Sequence, residues 1–360
     1  MKLFLKLAVA TNCNPDPHPS YWKTALLRAL FVGTFLAWAG APAHAAITID
    51  NYSPPMNDRF HNADDPDQFL LKQFDLSGVG QDANGRWATL IGPNTIISAN
   101  HHIPTGPISF YPGDDASASP YQISVSDDVE RIGNTDLWVA RLEQHVPSSI
   151  SPLDYATTPI QAGSDFIYRN ELVYMTGRSP AGFPSRQDQA YGTNEITSFV
   201  ENSTGAGLGN VDVFRIRFTS NATPYETGFR SGDSGAPLLY NNGDGSLLLL
   251  GVNSYVQTSG GNPVTSYVSY IGNESAAIDA LVTQWAAIWE VDRFDPATGS
   301  SNVPRDTNLV VTFNKDIVAD TGYITLKNLS DSTQVLIDIT DASQVSISGP
   351  VLTINPSANL

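Results

Sequence analysis

Between Trp87 and Ile271, short apolar runs alternate with clusters of turn residues. The runs are WATLIGPNTIISA, YQISVS, DLWVARL, FIYRNELVYM, VDVFRIRF, APLLY, SLLLLGVNSYV and TSYVSYI. They are rich in Val, Ile, Tyr and Phe and bounded by Gly, Pro, Asn and Asp, so they read as strands of antiparallel sheets. Asn241-Asn242-Gly243-Asp244-Gly245 reads as a hairpin turn. The period changes once. From Glu274 to Trp289, apolar Ala277, Leu281, Trp285, Ile288 and Trp289 recur at helical spacing, which predicts one helix with Trp285 and Trp289 facing a core. PATGSSNVPRD then interrupts the pattern, and LVVTF, GYITLKN, VLIDIT, VSIS and VLTIN predict a second set of strands. There is no internal repeat of fixed period.

Two stretches fall outside this alternation. Ala46 to about Gly85 is rich in Pro, Asn and Asp and reads as a surface lead-in. Residues 1–45 hold Lys2, Lys6, Lys23 and Arg28 but a single acid, Asp16. The apolar run Ala29 to Gly40 is too short for a bilayer span of about 20 residues. Ala43-His44-Ala45 follows as a small-residue cleavage site, so residues 1–45 read as a secretory signal peptide. Cys13 lacks the flanks of a lipidation site.

Composition narrows the class. Lys and Arg number 19 against 36 Asp and Glu, a net charge of −17, with no basic run. Nucleic-acid binding needs clustered cations, so that class of partner is excluded. A lone cysteine excludes a disulfide framework and a Cys-based zinc or iron–sulfur centre. The acidic pairs Asp64-Asp65 with Asp67, and Asp114-Asp115, have no EF-hand spacing and read as solvated loops rather than calcium sites. No cofactor and no metal is expected.

Four histidines remain after the leader: His61, His101, His102 and His145. His61 and His145 lie in polar segments and read as surface residues. Three local contexts carry chemistry: IISANH ending at His101, TDLWVARL around Asp136, and SGDSGAP around Ser234. A serine hydroxyl needs a neighbouring base to become a nucleophile, and imidazole suits that role near neutral pH. A carboxylate can then fix the imidazole tautomer. Gly232 and Gly235 flank Asp233-Ser234, where unobstructed backbone N–H groups could hold an oxyanion. His102 is the alternative base.

The three segments, in the order His, Asp, Ser, resemble the chymotrypsin/trypsin-like serine peptidase family over about residues 87–289. The order differs from α/β-hydrolases, and Ala236 breaks a G-x-S-x-G elbow. The resemblance implies an all-β fold of two six-stranded antiparallel barrels with a C-terminal helix. It implies His101 as general base, Asp136 as its orienting partner and Ser234 as nucleophile of a secreted serine endopeptidase. The N–H groups of Gly232 and Ser234 would form the oxyanion hole. Ser254, Tyr255 and Val256 would pair with the substrate backbone, and the Glu226 to Ser231 loop, with Gly228, would line the specificity pocket. Gly228 stands where a tryptic enzyme carries Asp, so cleavage after Lys or Arg is not implied. No activation motif accompanies Asp233, whose partner is left open. An esterase using the same residues is a third reading.

Residues 291–360 resemble a bacterial Ig-like domain of the S-layer-associated type, read as an incomplete β-sandwich. Such a domain implies cell-surface contact, and it motivates a rival reading: an inactive peptidase-like adhesion protein. The expected division is 1–45 signal peptide, 46–290 peptidase domain and 291–360 partial Ig-like domain. Loss of the leader would change the charge to (19 − 4) − (36 − 1) = −20 and remove Cys13. The mature protein would carry no membrane span, act on protein or peptide substrates, and reside outside the cytoplasm, in the periplasm, at the surface or in the medium.

Overall fold

The computed structural model describes residues 46–61, 68–115, 118–163, 165–181, 188–220, 222–288, 291–304, 306–319, 321–328 and 333–356, and the backbone of 3–7. The chain divides into two compact units, one of residues 44–288 and one of residues 1–43 with 289–360.

The larger unit is built on two sheets. The first has seven strands in the order Tyr121–Ile123, Ile108–Phe110, Val79–Gln81, Trp87–Gly92, Thr95–Ala99, Leu137–Leu142, Val125–Arg131. Its two edge strands are one stretch of chain interrupted at Ser124, so the sheet curls until its edges adjoin in sequence. The second runs Asp154–Tyr155, Leu247–Ser259, Pro237–Asn241, Leu172–Gly177, Ala190–Ser203, Val211–Arg217, Asn262–Tyr270. Leu247–Ser259 also pairs with Asn262–Tyr270, which closes six of these strands into a ring. Asp154–Tyr155 joins it from outside as a parallel pair. Each sheet is thus a six-strand design in seven pieces, one by interruption and the other by an added strand.

Apolar side chains fill three places. Ala88, Leu90, Ile96, Ile108, Phe110 and Trp138 pack inside the curled sheet. Val173, Met175, Phe214, Phe229, Leu250 and Tyr270 pack inside the ring. A third cluster joins residues of both, including Leu71, Trp87, Val139, Tyr191 and Leu249, and takes in Ile278 and Trp285. Burial of this apolar area is the main stabilising term.

Several expectations need correction. The helix spans Ser275–Ala286, and its buried face is Ile278 with Trp285, flanked by Leu281 and Val282. Ala277 is exposed. Ile278, Val282 and Trp285 follow the i, i+4, i+7 spacing of one stripe, which leaves Ala277 beside it. Trp289 lies outside the described residues. The Ala46–Gly85 stretch is not a surface lead-in, because Ile47, Phe60, Phe69, Leu71, Phe74 and Leu76 are buried. Its polar Asn57, Asp58 and Arg59 are buried too. The Arg59 guanidinium donates to Leu76 O, Tyr111 O, Gly113 O, Gln189 Oε1 and Asp114 Oδ1. Asp114 therefore serves as a counter-ion to Arg59, while Asp64, Asp65 and Asp67 lie outside the described residues. In FIYRNELVYM only Leu172 onward is strand, and Phe166–Asn170 form a turn with Asn170 at φ 59°. The fourteen-residue strand Ala190–Ser203 has no counterpart among the apolar runs.

The smaller unit has a sheet ordered Val291–Asp295, Leu309–Phe313, Val351–Ile354, Val345–Ser348. A second sheet joins Tyr323–Asn328 to Gln334–Asp338. The backbone of Leu3–Leu7 runs antiparallel to Tyr323–Asn328. Val311, Phe313, Ile324, Leu326, Ile337 and Leu352 from the two sheets share one core, the arrangement of a sandwich. The remainder of the expected leader, including Ala29–Gly40 and Ala43–Ala45, lies outside the described residues. Among the described residues, no helix is long and apolar enough to cross a membrane.

Candidate active site

Strand pairing in the curled sheet brings two of the expected residues together. Thr95–Ala99 and Leu137–Leu142 run antiparallel, with Ala99 opposite Leu137. His101 follows one strand in the short turn Asn100–His102, and Asp136 precedes the other. Asn100 N–H donates to Asp136 O at 2.8 Å, continuing the ladder one step. The Asp136 carboxylate is fully buried. It accepts the His101 backbone N–H at 3.0 Å, and His101 Nδ1 lies 2.8 Å from its Oδ2. Donation from Nδ1–H to a carboxylate leaves Nε2 as the acceptor. Nε2 is 2.9 Å from Ser234 Oγ. The row Ser234–His101–Asp136 can take a proton from the hydroxyl onto the imidazole and stabilise the imidazolium.

Ser234 comes from the ring sheet, in the loop between Thr227–Gly228 and Pro237–Asn241. Gly232 and Gly235 have φ of 103° and 85°, which side chains rarely adopt. A Cβ on Gly235 would also lie 2.5 Å from Ser98 Oγ. In this loop Asp233 N–H donates to Arg230 O, and Gly235 N–H donates to Asn253 O. The N–H groups of Gly232 and Ser234 have no hydrogen-bond partner among the described residues. Two unclaimed amides next to a hydroxyl can hold a developing oxyanion.

The partner of Asp233 is resolved. Its oxygens accept the backbone N–H groups of Arg178 and Arg230, each at 2.8 Å. Burial pushes its pKa up to about 7, against the pull of those two amides and the Arg178 charge. Ile47 packs alongside, since a Cβ on Gly177 would lie 2.7 Å from Asp233 Cγ and 2.8 Å from Ile47 Cβ. Thr48–Ile49 pair with Thr227–Gly228, so the segment after residue 45 braces the base of the Ser234 loop.

The other expected residues divide. Ser254 has a further contact: its Oγ donates to Asp136 Oδ2 at 2.5 Å. The register of Leu247–Ser259 against Asn262–Tyr270 shifts between Asn253 and Tyr255. Ser254 sits at this bulge, which turns its side chain toward Asp136. Tyr255 stacks on Tyr267, centroids 4.2 Å apart, and its hydroxyl meets Ser203 Oγ at 2.7 Å. Val256 is half-buried on the same strand. Gly228 is buried, and a Cβ there would come within 2.8 Å of Pro263. Glu226 is spent on its own loop, accepting the N–H groups of Thr219 and Ala222. His102 does not reach the hydroxyl; its Nδ1 lies 3.4 Å from the Ser234 carbonyl oxygen. Burial lowers its pKa. Among the described residues, no group of three or more His, Cys, Asp or Glu could hold a metal.

Two antiparallel sheets meeting at a serine, a histidine and a buried aspartate, followed by a C-terminal helix, define the trypsin-like class of serine peptidase folds. The family model of the immunoglobulin A1 protease, peptidase S6, matches residues 70–274, more than half of the chain, and the chain belongs to that family. A bacterial Ig-like domain model matches residues 287–360. No curated protein matches the chain. Among solved structures, human heparin binding protein is 17% identical, with 57% of this chain and 90% of that one covered at a TM-score of 0.39. The NS6 protease from murine norovirus 1 is 14% identical, with 56% and 93% covered at a TM-score of 0.36.

Proposed function

We propose that this protein is an exported serine endopeptidase. Ser234 Oγ attacks the substrate carbonyl while His101 Nε2 takes its proton. Asp136 holds the imidazole in the required tautomer and stabilises its charged form. The Gly232 and Ser234 amides receive the oxyanion. His101 then protonates the leaving amine, and a water molecule repeats the sequence to free the acyl group. The observation that carries this reading is the continuous row from Ser234 Oγ through both ring nitrogens of His101 to Asp136. The substrate backbone adds to Ser254–Val256 as an extra strand. Residues 1–45 act as the export signal, and the Ig-like unit serves contact at the cell surface. Family membership supports peptidase chemistry, and the basic, apolar and small-residue order of the leader supports export.

A fluorophosphonate probe tests the nucleophile. Labelling should be lost in Ser234→Ala, and peptide turnover should fall by several orders of magnitude in both Ser234→Ala and His101→Ala. Equal labelling of the wild type and Ser234→Ala would refute the assignment. No labelling, together with binding to cell-surface material, would favour the inactive adhesion protein.

A further inference from the structure

In a chain with 36 acidic and 19 basic residues, Arg86 and Arg178 lie near the Ser234 loop and form no salt bridge among the described residues. Arg86 Nη1 donates to the carbonyl of Ile103, the residue after His102, at 2.7 Å. Arg178 Nη2 donates to Asn84 O at 2.6 Å, and Asn84 Nδ2 donates to Thr105 Oγ1 at 3.2 Å. The Arg178 guanidinium lies directly against Gly85, where an added Cβ would be 2.3 Å from Nη2. Main-chain carbonyls therefore fix both cations.

Their position relative to Ser234 follows from one backbone hydrogen bond and from a shared electrostatic effect on a neighbouring histidine. Arg178 N–H holds Asp233, the residue before Ser234. Both arginines also act on His102, which adjoins the Ser234 carbonyl, and disfavour its protonated form.

Carboxylates nearby are committed elsewhere. Asp82 is buried and accepts the N–H groups of Asn84, Arg86 and Thr105. Asp233 is held by amides and Asp188 accepts the Ser179 N–H at 2.5 Å, and both also feel the Arg178 charge without a salt bridge to it. Among the described residues, the ion pairs are those of Arg59, His101 and Arg141, not of Arg86 or Arg178. Arg178 Nε is buried with no hydrogen-bond partner among them. Ser254, Tyr255 and Val256, by contrast, carry a hydroxyl, a phenol and an aliphatic group, with no cation.

We propose that the Asn84–Arg86 loop and Arg178 form a cationic rim for a substrate carboxylate on the leaving-group side of Ser234, so that protein segments with Asp or Glu just after the cleaved bond are preferred. This rests on the peptidase reading above and on strand addition at Ser254–Val256, which assigns the acyl side. The rim also offsets locally the repulsion that a net charge of −17 exerts on acidic substrates.

The test uses paired fluorogenic peptides, identical except for Asp or Asn in the three positions after the cleaved bond. The full chain should cleave the acidic member with about 10-fold higher kcat/KM at low ionic strength, and the ratio should shrink toward one in molar salt. Arg86→Gln should reduce the ratio, whereas Arg178→Lys should keep most of it. In parallel, fluorescence anisotropy measures binding of both peptides to Ser234→Ala, where no turnover is needed. Tighter binding of the acidic peptide there supports the rim even if the probe fails to label Ser234, which would count against the peptidase reading alone. Equal cleavage and equal binding of the two peptides, or an unchanged ratio in Arg86→Gln, would overturn the rim.

Discussion

The two sheets of the larger unit contribute to the site in different ways. The curled sheet supplies His101 and Asp136 from neighbouring strand ends, and the register Ala99 opposite Leu137 fixes their spacing. The ring supplies Ser234 from a loop, one residue beyond the last backbone pairing, that of Gly235 with Asn253. Other devices hold the loop: two left-handed glycines, a buried carboxylate on two amides, and Asn253, whose Nδ2 donates to Thr176 O and Asp233 O. An acid–base pair can be built on regular pairing. A serine beside free N–H groups cannot, because a strand would claim those groups. Ser254 is where the two designs meet, a ring residue bonded to the aspartate of the curled sheet.

Substitutions in each half should separate these designs. The largest effect is expected on the strand-fixed side. Asp136→Asn should lower kcat/KM by about 10⁴-fold with the fold intact, because it disturbs the imidazole tautomer. Steady-state kinetics with circular dichroism checks this, and a loss below tenfold would break the assignment. On the loop side, Gly177→Ala places a methyl group against Asp233 and Ile47. Such overpacking should cost about 1–3 kcal/mol in a denaturant titration and lower kcat. Ser254→Ala removes one donor to Asp136 and should reduce kcat by about tenfold, the lower end for a single charge-assisted hydrogen bond, with KM little changed.

The smallest effect concerns pH. Asp233 has its folded pKa raised to about 7 from an ordinary value of 3.8, so the folded state binds the extra proton between those values. Its contribution to stability is full below about pH 4 and is lost as pH rises toward 7. Wild type should therefore hold its largest Tm margin over Asp233→Asn near pH 4 and lose it by about pH 7. A margin that grows with pH would show that the carboxylate is ionised throughout.

The strand-fixed half was the more legible in sequence. TDLWVARL and IISANH announce their strands through β-branched and aromatic residues, and the chemistry sits at their ends. SGDSGAP was legible for a different reason: glycines around a serine mark a loop that must avoid side chains. The strand Ala190–Ser203 was not legible, because Thr193, Asn194, Glu195, Thr197 and Ser198 occupy much of it and its pairing is supplied by Leu172–Gly177 and Val211–Arg217. The stretch after residue 45 misled for a related reason. Asn57, Asp58 and Arg59 look like surface residues, and only partners far along the chain, such as Gln189 and Ala190, bury them. The bond from Ser254 to Asp136 is likewise a tertiary fact, since a β-bulge aims it and no local pattern marks that bulge.

The buried Arg59 guanidinium ties its own segment to three other stretches of chain, at Leu76, Tyr111 to Asp114 and Gln189, so that four are joined. In a protein whose one cysteine lies at position 13, this is a non-covalent cross-link. Peeling away any one stretch would strand a desolvated cation, so local opening there is costly and the four stretches yield together. A peptide bond must leave the fold before a peptidase can grip it. Coupling these openings to a near-global event hides the joined segments from proteolysis.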